Sequence, residues 1–379
     1  MLQTIAVSGY RSLVDLALPI GRLTVVTGAN GAGKSNLYRA VRLLAAAGSG
    51  RAASELIASG GLDSVLWAGP ESPSGAGAQG TRRTRPVSLL LGAATDELGY
   101  LVDLGLPVPN SESLFGRDAE LKREQVFAGP VAKPASLVVD RAGRTVRVRD
   151  RTWRTVEQWL APDEGLLTDL ADAEAGLELL GVRRMLRSWR FYDSFRADAG
   201  APARRPRPGT RSHVLADDGH DLAAVWRTIQ EAGGGAALDR EVDRAFPGTR
   251  VEVVANDGVF ALRVRQPGLL RPLGAEELSD GTLRYLLLCA ALLSTRPAPF
   301  IVLNEPESSL HPELLEPLAA LVAAACADSQ VMVVTHAERL AAALVAQGGD
   351  RYELVNRGAG THVEGWGPLD GPPWHWGHR

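Results

Sequence analysis

Alternating apolar and polar positions in the first 150 residues predict a series of β-strands. One segment in this stretch, residues 36–47, carries apolar side chains at helical intervals and predicts a helix. The sequence DRAGR predicts a tight turn between the last two strands. The predicted strands are residues 4–7, 11–20, 23–27, 87–91, 100–104, 136–140 and 145–148.

The second part of the chain mixes helical spacing with short, wholly apolar runs. Residues 300–303 and 331–334 are too short for apolar helices, so they predict buried strands. A hairpin is predicted around the Asn-Asp-Gly turn that separates residues 251–254 from 259–264. The segments with helical spacing are residues 156–190, 222–232, 238–245, 283–293 and 312–327.

Composition excludes several classes of protein. A chain of 379 residues with 45% hydrophobic and 22% charged residues is typical of a globular protein. The net charge of −3 means that any contact with nucleic acid must come from a local patch. There is no apolar run of 18 residues and no signal-like start, so we expect a cytoplasmic protein without a membrane partner. Cys289 and Cys326 lie in apolar runs, which predicts buried thiols.

The stretch GANGAGKS, residues 28–35, has the spacing of a phosphate-binding loop. It follows a predicted strand and opens a predicted helix, which is the context such a loop requires. Glycines allow the backbone N–H groups to surround phosphates, Lys34 would reach the β- and γ-phosphates, and Ser35 would place a hydroxyl on Mg²⁺. The predicted nucleotide-binding residues here are Asn30, Gly31, Ala32, Gly33, Lys34, Ser35 and Asn36.

Three later stretches follow in a fixed order along the chain. LSDGT, residues 278–282, is by local chemistry a helix N-cap, because Ser279 and Asp280 can accept hydrogen bonds from free helical N–H groups. About 20 residues further on, the apolar strand FIVL runs into NEPESSLHP. VVTHAERL then places His336 after the next apolar strand.

The ordered set resembles the RecF-, SMC- and OLD-type branch of the ABC ATPases, over most of the chain. VSGYRSL resembles that branch's first strand and turn, and GANGAGKS its Walker A motif. LSDGTLR resembles its signature, NEPESSLHP its Walker B motif with the D-loop, and VVTHAERL its switch-histidine strand. The resemblance implies an α/β fold of the P-loop NTPase, ABC-ATPase type, with a central mixed sheet, an antiparallel β layer and a helical lobe.

The resemblance also implies roles for individual residues. Glu305 would orient and deprotonate the attacking water, with Lys34 and the γ-phosphate sensor His336 as its catalytic partners. Asn304 and Ser35 would serve the Mg²⁺ shell of a bound ATP. The signature would act in trans, in a homodimer that forms on ATP binding. Its residues are Ser279, Asp280 and Gly281, and the D-loop at the same interface is residues 308–311.

Some assignments remain open at the level of the sequence. Arg11 is either a contact for the nucleotide's phosphate or base, or an exposed arginine in a turn. Gln79 and Gln125 are both candidates for the glutamine loop. The tryptophans and histidines of PPWHWGHR could hold a metal, but their spacing favours packing.

Asn304 departs from the family pattern, in which an aspartate is expected at this position. An asparagine keeps an oxygen acceptor but removes a negative charge beside a divalent cation. Because Glu305 is retained, we predict an active but slow ATPase that works as a switch.

The predicted domains are a nucleotide-binding lobe of residues 1–155 and 296–379 and a helical lobe of residues 156–295. With neither sustained heptads nor room for a nuclease domain after His336, the layout resembles the head of RecF.

Two functions remain open for such a head. The first function is action on DNA in repair, recombination or defence. It is suggested by residues 183–211, which contain nine arginines with interleaved aromatics that suit a nucleic-acid backbone. The second is a regulatory switch for a separate effector, such as a nuclease or toxin, with little DNA binding. The candidate DNA contacts are Arg183, Arg184, Arg187, Arg204, Arg205 and Arg207.

Overall fold

The structure is a computed structural model that describes residues 1–69, 88–109, 111, 114–170, 176–193, 195–358, 360–367 and 369–377. In chain order its strands are β1 (Leu2–Tyr10), β2 (Leu13–Pro19), β3 (Leu23–Gly28), β4 (Leu89–Thr95), β5 (Leu98–Gly105), β6 (Glu120–Ala128), β7 (Leu137–Ala142), β8 (Thr145–Arg149), β9 (Trp153–Thr155), β10 (Arg190–Tyr192), β11 (Arg207–Pro208), β12 (Arg250–Asn256), β13 (Val259–Arg265), β14 (Leu273–Gly274), β15 (Phe300–Asn304), β16 (Gln330–Val334), β17 (Asp350–Asn356) and β18 (Thr361–Val363).

Helices make up much of the remaining chain. They are α1 (Lys34–Ala47), α2 (Ala52–Ala58), α3 (Leu62–Val65), α4 (Leu166–Asp169), α5 (Leu177–Ser188), α6 (Leu222–Ile229), α7 (Gly235–Ala245), α8 (Asp280–Leu292), α9 (Leu315–Ala325) and α10 (Glu338–Ala346). A π-helical turn, Gln230–Gly234, joins α6 to α7. Among the described helices, none combines the length and apolar character needed to cross a bilayer.

The chain packs into two compact units. The first unit consists of Met1–Gly21, Gly28–Trp189 and Tyr352–Arg379, and the second of Arg22–Thr27 and Arg190–Arg351. These bounds differ from the two lobes expected from the sequence, which stay a prediction. The difference arises because β10 pairs in parallel with β15, which puts residues from 190 onward in the same unit as the Walker B strand.

The first unit is built on an antiparallel sheet with the strand order β2-β1-β4-β5-β6-β7-β8-β9. The predicted turn between β7 and β8 is present, with Ala142 opposite Thr145. Strand β6 was not predicted, because its buried positions include polar residues. Glu124 forms an ion pair with Arg141 at 2.6 Å with both side chains buried, and Gln125 donates to Asp140 at 2.9 Å.

The C-terminal segment closes a small core of the first unit. Trp374 packs edge-on against Phe127 with ring centroids 6.0 Å apart, beside buried Leu101. The Nε1 of Trp376 donates to Asp15 at 2.9 Å. Packing, the interpretation favoured from the sequence, is therefore the role of these tryptophans.

The second unit contains a parallel sheet in the order β10-β15-β16-β3. All five residues of β16 and four of the five in β15 are buried, which explains their uninterrupted apolar runs. Helix α8 is buried along nearly its whole length within the same core. The predicted hairpin between β12 and β13 is confirmed, and its turn has φ of 47° at Asp257 and 76° at Gly258.

Candidate functional site

The first unit carries the glycine-rich loop that leads from β3 into α1. Gly28, Gly31 and Gly33 have φ of 145°, 82° and 107°, a region that L side chains rarely adopt. A Cβ atom would also lie 2.3 Å from the Leu354 carbonyl oxygen at Gly28, and 2.3 Å from the Thr361 hydroxyl at Gly33. The loop is therefore fixed by both backbone conformation and close packing.

Lys34 is buried, and its Nζ donates to the carbonyls of Gly28 at 2.7 Å and Ala29 at 3.1 Å. The ammonium group thus lies inside the glycine-rich loop, although Lys34 is itself the first residue of α1. Of the other predicted nucleotide-binding residues in the loop, Ala32 and Gly33 are buried, while Asn30, Gly31 and Ser35 are exposed.

Ser12 and Thr361 support this loop and were not anticipated from the sequence. Asn36, predicted to bind nucleotide, donates through Nδ2 to the Ser12 hydroxyl at 2.9 Å. The Thr361 hydroxyl lies 2.8 Å from the same oxygen and donates to the Ala32 carbonyl at 2.9 Å. Because Thr361 is 329 residues from Ala32 in the chain, no local pattern could have identified it.

Arg11 occupies the turn between β1 and β2 with φ of 47°. Its N–H donates to the Val65 carbonyl at 2.6 Å, and its guanidinium lies 5.7 Å from the centre of the Tyr10 ring. Burial raises the pKa of Tyr10. The role of Arg11 toward a nucleotide stays a prediction.

Gln125, one of the two candidates for the glutamine loop, is a buried residue of β6 bound to Asp140. Gln79 lies outside the described residues.

The second unit gathers the acidic strand end and the predicted sensor histidine. Glu305 follows β15 with φ of 48°, and its N–H donates to the Val334 carbonyl of β16 at 2.8 Å. The Nδ1 of His336 lies 3.5 Å from Glu305 Oε1 and 3.4 Å from Glu307 Oε1. Two carboxylates therefore flank the histidine at the carboxyl ends of neighbouring parallel strands.

Glu307 was not singled out from the sequence, yet it is the most buried carboxylate of this cluster. Its side chain is 6% exposed. Its Oε1 accepts from the Thr335 hydroxyl at 2.5 Å and from the His336 N–H at 3.3 Å. Glu307 therefore ties the Walker B segment to the strand end that presents His336.

Asn304 is the last residue of β15, and its amide forms a hydrogen bond with a residue that follows the neighbouring strand β10. Its Nδ2 donates to Asp193 Oδ1 at 2.8 Å. Asp193 directly follows β10, which pairs with β15 so that Tyr192 lies opposite Leu303. Within the described residues, the Oδ1 atom of Asn304 is buried without a hydrogen-bond partner.

The LSDGT turn is the N-cap of α8, as local chemistry predicted. The Ser279 hydroxyl accepts from the Thr282 N–H at 3.1 Å, and α8 begins at Asp280. A Cβ atom at Gly281 would lie 3.0 Å from the carbonyl oxygen of Ser309 in the D-loop. The signature turn and the D-loop are therefore neighbours in one unit.

Two buried arginines support this turn and were not recognised as structural from the sequence. Arg284 donates to the carbonyls of Ser308 and Phe195, and burial lowers its pKa. Arg204 donates to the carbonyl of Leu278 at 2.8 Å and to Asp280 Oδ1 at 2.7 Å.

The side chain of Arg204, a candidate DNA contact, is only 6% exposed and its N–H groups donate to protein oxygens, so its contact with DNA stays a prediction that this burial does not favour. The interleaved aromatics Trp189, Tyr192 and Phe195 are buried as well. In the first unit Arg184 and Arg187 are exposed and Arg183 is half-buried. In the second unit Arg205 and Arg207 are exposed.

Comparison with solved structures shows which known fold the chain shares. An SMC head bound to the C-terminal winged-helix domain of ScpA matches over 96% of this chain and 97% of that chain, with a TM-score of 0.53 and 13% identity. An Smc head with an extended coiled coil, bound to the C-terminal domain of ScpA from Pyrococcus furiosus, matches over 96% and 95%, with a TM-score of 0.50 and 13% identity. The fold, together with the motif order, is that of an ABC-type ATPase of the SMC/RecF-like branch.

The particular family follows from the sequence. Residues 23–341 match the family described as "AAA domain, putative AbiEii toxin, Type IV TA system", and the chain belongs to this family. No protein with a curated description matches the chain.

Proposed function

We propose that this protein binds ATP and hydrolyses it slowly. The observation that carries the proposal is the placement of His336 between Glu305 and Glu307 at the strand ends next to β3, from which the glycine-rich loop begins. Glu305 is partly exposed, which suits a carboxylate that takes a proton from water. Lys34 and the N–H groups of the loop bind the phosphates.

Mg²⁺ is the metal that this fold family implies. A bound Mg²⁺ would neutralise the phosphate oxygens on which negative charge develops. Asn304 fits a hard cation, because its buried Oδ1 is an oxygen acceptor that lacks a partner among the described residues. Since Asn304 is neutral, we expect weaker metal binding than an aspartate would give, and hence slow turnover.

We propose further that ATP drives formation of a homodimer. In this arrangement Ser279 and the backbone at Gly281 would donate to the γ-phosphate held by the partner's loop, assisted by the helix dipole of α8. Such contacts exist only with ATP between the subunits, so ATP would bind the closed dimer better than the monomer. The D-loop beside Gly281 would lie at the same interface.

Phosphate release measured at saturating ATP and Mg²⁺ tests the hydrolysis. Glu305→Gln should lower the rate by about 10²- to 10⁴-fold, because the amide cannot accept the proton. Glu316→Gln, which changes an exposed glutamate of α9, is the matched control and should keep the wild-type rate. Equal rates in the Glu305→Gln variant and the wild type would show that Glu305 is not the base.

We propose that the target of the dimer is DNA, contacted through exposed arginines. The support lies in Arg184 and Arg187 on α5, and in Arg205 and Arg207 in the second unit. A mobility shift with duplex DNA should weaken as salt increases. Replacing Arg184 and Arg187 together by Gln should reduce the dependence of log K on log salt by about one unit per lost phosphate contact. Replacing the exposed Arg240 by Gln should leave it unchanged.

A second candidate is a regulatory ATPase that controls a separate effector. The family description, which refers to a toxin and a toxin–antitoxin system, favours it. So do the burial of Arg204 and of the aromatics, which leaves less of the arginine-rich segment for DNA. In the same mobility-shift experiment, ATP-dependent dimerisation without any salt-sensitive DNA binding would favour this candidate over the first.

A further inference from the structure

We propose that Asp193 supplies the negative charge that Asn304 lacks, so that the two side chains together act toward Mg²⁺ as a Walker B aspartate would. The inference rests on the proposed ATP binding and assigns a further residue to the same site. Neither the sequence motifs nor the family match points to Asp193.

The strand register brings the two residues together. Because β10 and β15 run parallel with Tyr192 opposite Leu303, the residues that come next in each strand leave the sheet side by side. Asp193 and Asn304 are 111 positions apart in the chain, yet their side chains are joined by a hydrogen bond of 2.8 Å.

This hydrogen bond also fixes the orientation of the amide. If the amide were reversed, its oxygen would lie beside the Asp193 carboxylate and the two acceptors would repel each other. With Nδ2 committed to Asp193, Oδ1 must point the other way. That oxygen is buried and has no hydrogen-bond partner among the described residues. A buried acceptor in this state is unfavourable unless a ligand completes it.

Asp193 is exposed to solvent, so the pair lies at the surface of the strand ends and not inside the core. Asp193 also interacts with a basic side chain, because Asp193 and Asp280 each oppose the effect of burial on the pKa of Arg284. The guanidinium of Arg284, however, donates to the carbonyls of Ser308 and Phe195. Outer-shell carboxylates of this kind strengthen metal binding by orienting and polarising the inner ligand.

Binding of the fluorescent analogue mant-ATP, titrated with MgCl₂, tests the proposal without relying on turnover. Asp193→Asn should raise the Mg²⁺ concentration at half-maximal binding by about 10- to 100-fold. The exchange variant, Asp193→Asn with Asn304→Asp, returns one carboxylate to the pair and should restore that concentration to near the wild-type value. Asp257→Asn is the matched control, because it removes an exposed charge from a hairpin turn that accepts asparagine.

The single change Asn304→Asp should leave the fold intact and make binding respond more steeply to Mg²⁺, because two adjacent carboxylates require a cation. Melting temperatures measured without nucleotide check that each variant folds. If Asp193→Asn does not fold, the exchange variant decides, since it keeps the number of carboxylates.

The outcomes separate the inference from the function on which it rests. An unchanged Mg²⁺ titration in Asp193→Asn, with mant-ATP still bound, would overturn the inference and leave ATP binding standing. An exchange variant as weak as Asp193→Asn alone would show that the charge of the pair is not what matters, and would also overturn it. If the wild-type protein bound no mant-ATP at any Mg²⁺ concentration, both the inference and the proposed ATP binding would be refuted.

Discussion

Replacing Arg204 by alanine should destabilise the second unit and loosen the signature turn. The Arg204 side chain is 6% exposed and joins a segment near residue 197 to the residues just before α8. It donates to the Ala197 carbonyl at 2.6 Å and to the Ala275 carbonyl at 2.9 Å. It also donates to the Leu278 carbonyl at 2.8 Å and to Asp280 at 2.7 Å.

The size of the effect follows from these contacts. Truncation leaves three buried carbonyl oxygens with fewer donors, and each such loss costs about 1–3 kcal/mol. The ion pair with Asp280 adds less, because the Asp280 side chain is 58% exposed and screened by solvent. Three such losses give at least about 3 kcal/mol. Removing one member of a buried charged network usually costs about 3–5 kcal/mol, and we expect a loss in that range.

Thermal melting measures this loss. For a unit of this size, 1 kcal/mol shifts the melting temperature by about 2–4 °C, so the Arg204→Ala transition should fall by about 6–20 °C. The adjacent Arg205 is exposed, and Arg205→Ala should change stability by no more than about 0.5 kcal/mol. Arg204→Lys keeps a charge but not the planar fork of donors, so its melting temperature should lie between those of Arg204→Ala and Arg205→Ala.

A functional assay shows whether the turn itself is affected. Leu278 and Asp280 flank Ser279, so a protein without the Arg204 anchor should form less ATP-dependent dimer even at a temperature where it is folded. The reasoning would be refuted if the Arg204→Ala and Arg205→Ala variants had the same melting temperature. If Arg204→Ala also reduced the salt dependence of DNA binding, the side chain would be a phosphate contact after all.

Further changes test the nucleotide site and the thiols. Lys34→Ala should abolish binding of mant-ATP, because it removes the ammonium group of the loop; wild-type affinity in that variant would place the site elsewhere. In analytical ultracentrifugation with ATP and Mg²⁺, Glu305→Gln should accumulate as a dimer, and adding Ser279→Arg should remove that dimer through bulk and misplaced charge. A double variant that dimerises as well as Glu305→Gln would leave Ser279 as a helix cap only. Burial raises the pKa of Cys289, and that of Cys326 to about 11, so both thiols should react slowly with iodoacetamide at pH 8 and quickly in urea. Fast alkylation of the folded protein would contradict the buried environment of Cys289 and the half-buried environment of Cys326.

The structure differs from the sequence-based interpretation mainly where polar residues are buried. The arginine-rich segment suggested a surface for nucleic acid, but Arg204 donates its N–H groups inward to protein oxygens. Strand β6 was missed because its buried positions include Glu124 and Gln125. A sequence pattern treats charged residues as exposed, since burying them is unfavourable without partners. The partners Arg141 and Asp140 come from the neighbouring strand, which the pattern of β6 does not contain.

The sequence by itself determined those features that depend on adjacent residues. The positive φ angles of the glycine-rich loop require glycine at positions that the motif supplies, and Ser279 caps α8 through an N–H only three residues away. Apolar runs also sufficed for β15 and β16, because strands covered on both faces lose their alternation. The motifs are also short stretches of adjacent residues, so their order along the chain was enough to indicate the ABC-type class.

Only the tertiary structure decided which distant residues lie beside the residues of the motifs. Asp193 lies beside Asn304 because β10 pairs with β15, and Glu307 meets His336 because β15 pairs with β16. Strand pairing is stabilised by contacts summed over the whole core, so the residues next to Asp193 or Glu307 in the sequence do not show which strands pair. The charge at the strand end is therefore a property of the folded sheet, whereas the loop and the helix cap are properties of short stretches of chain.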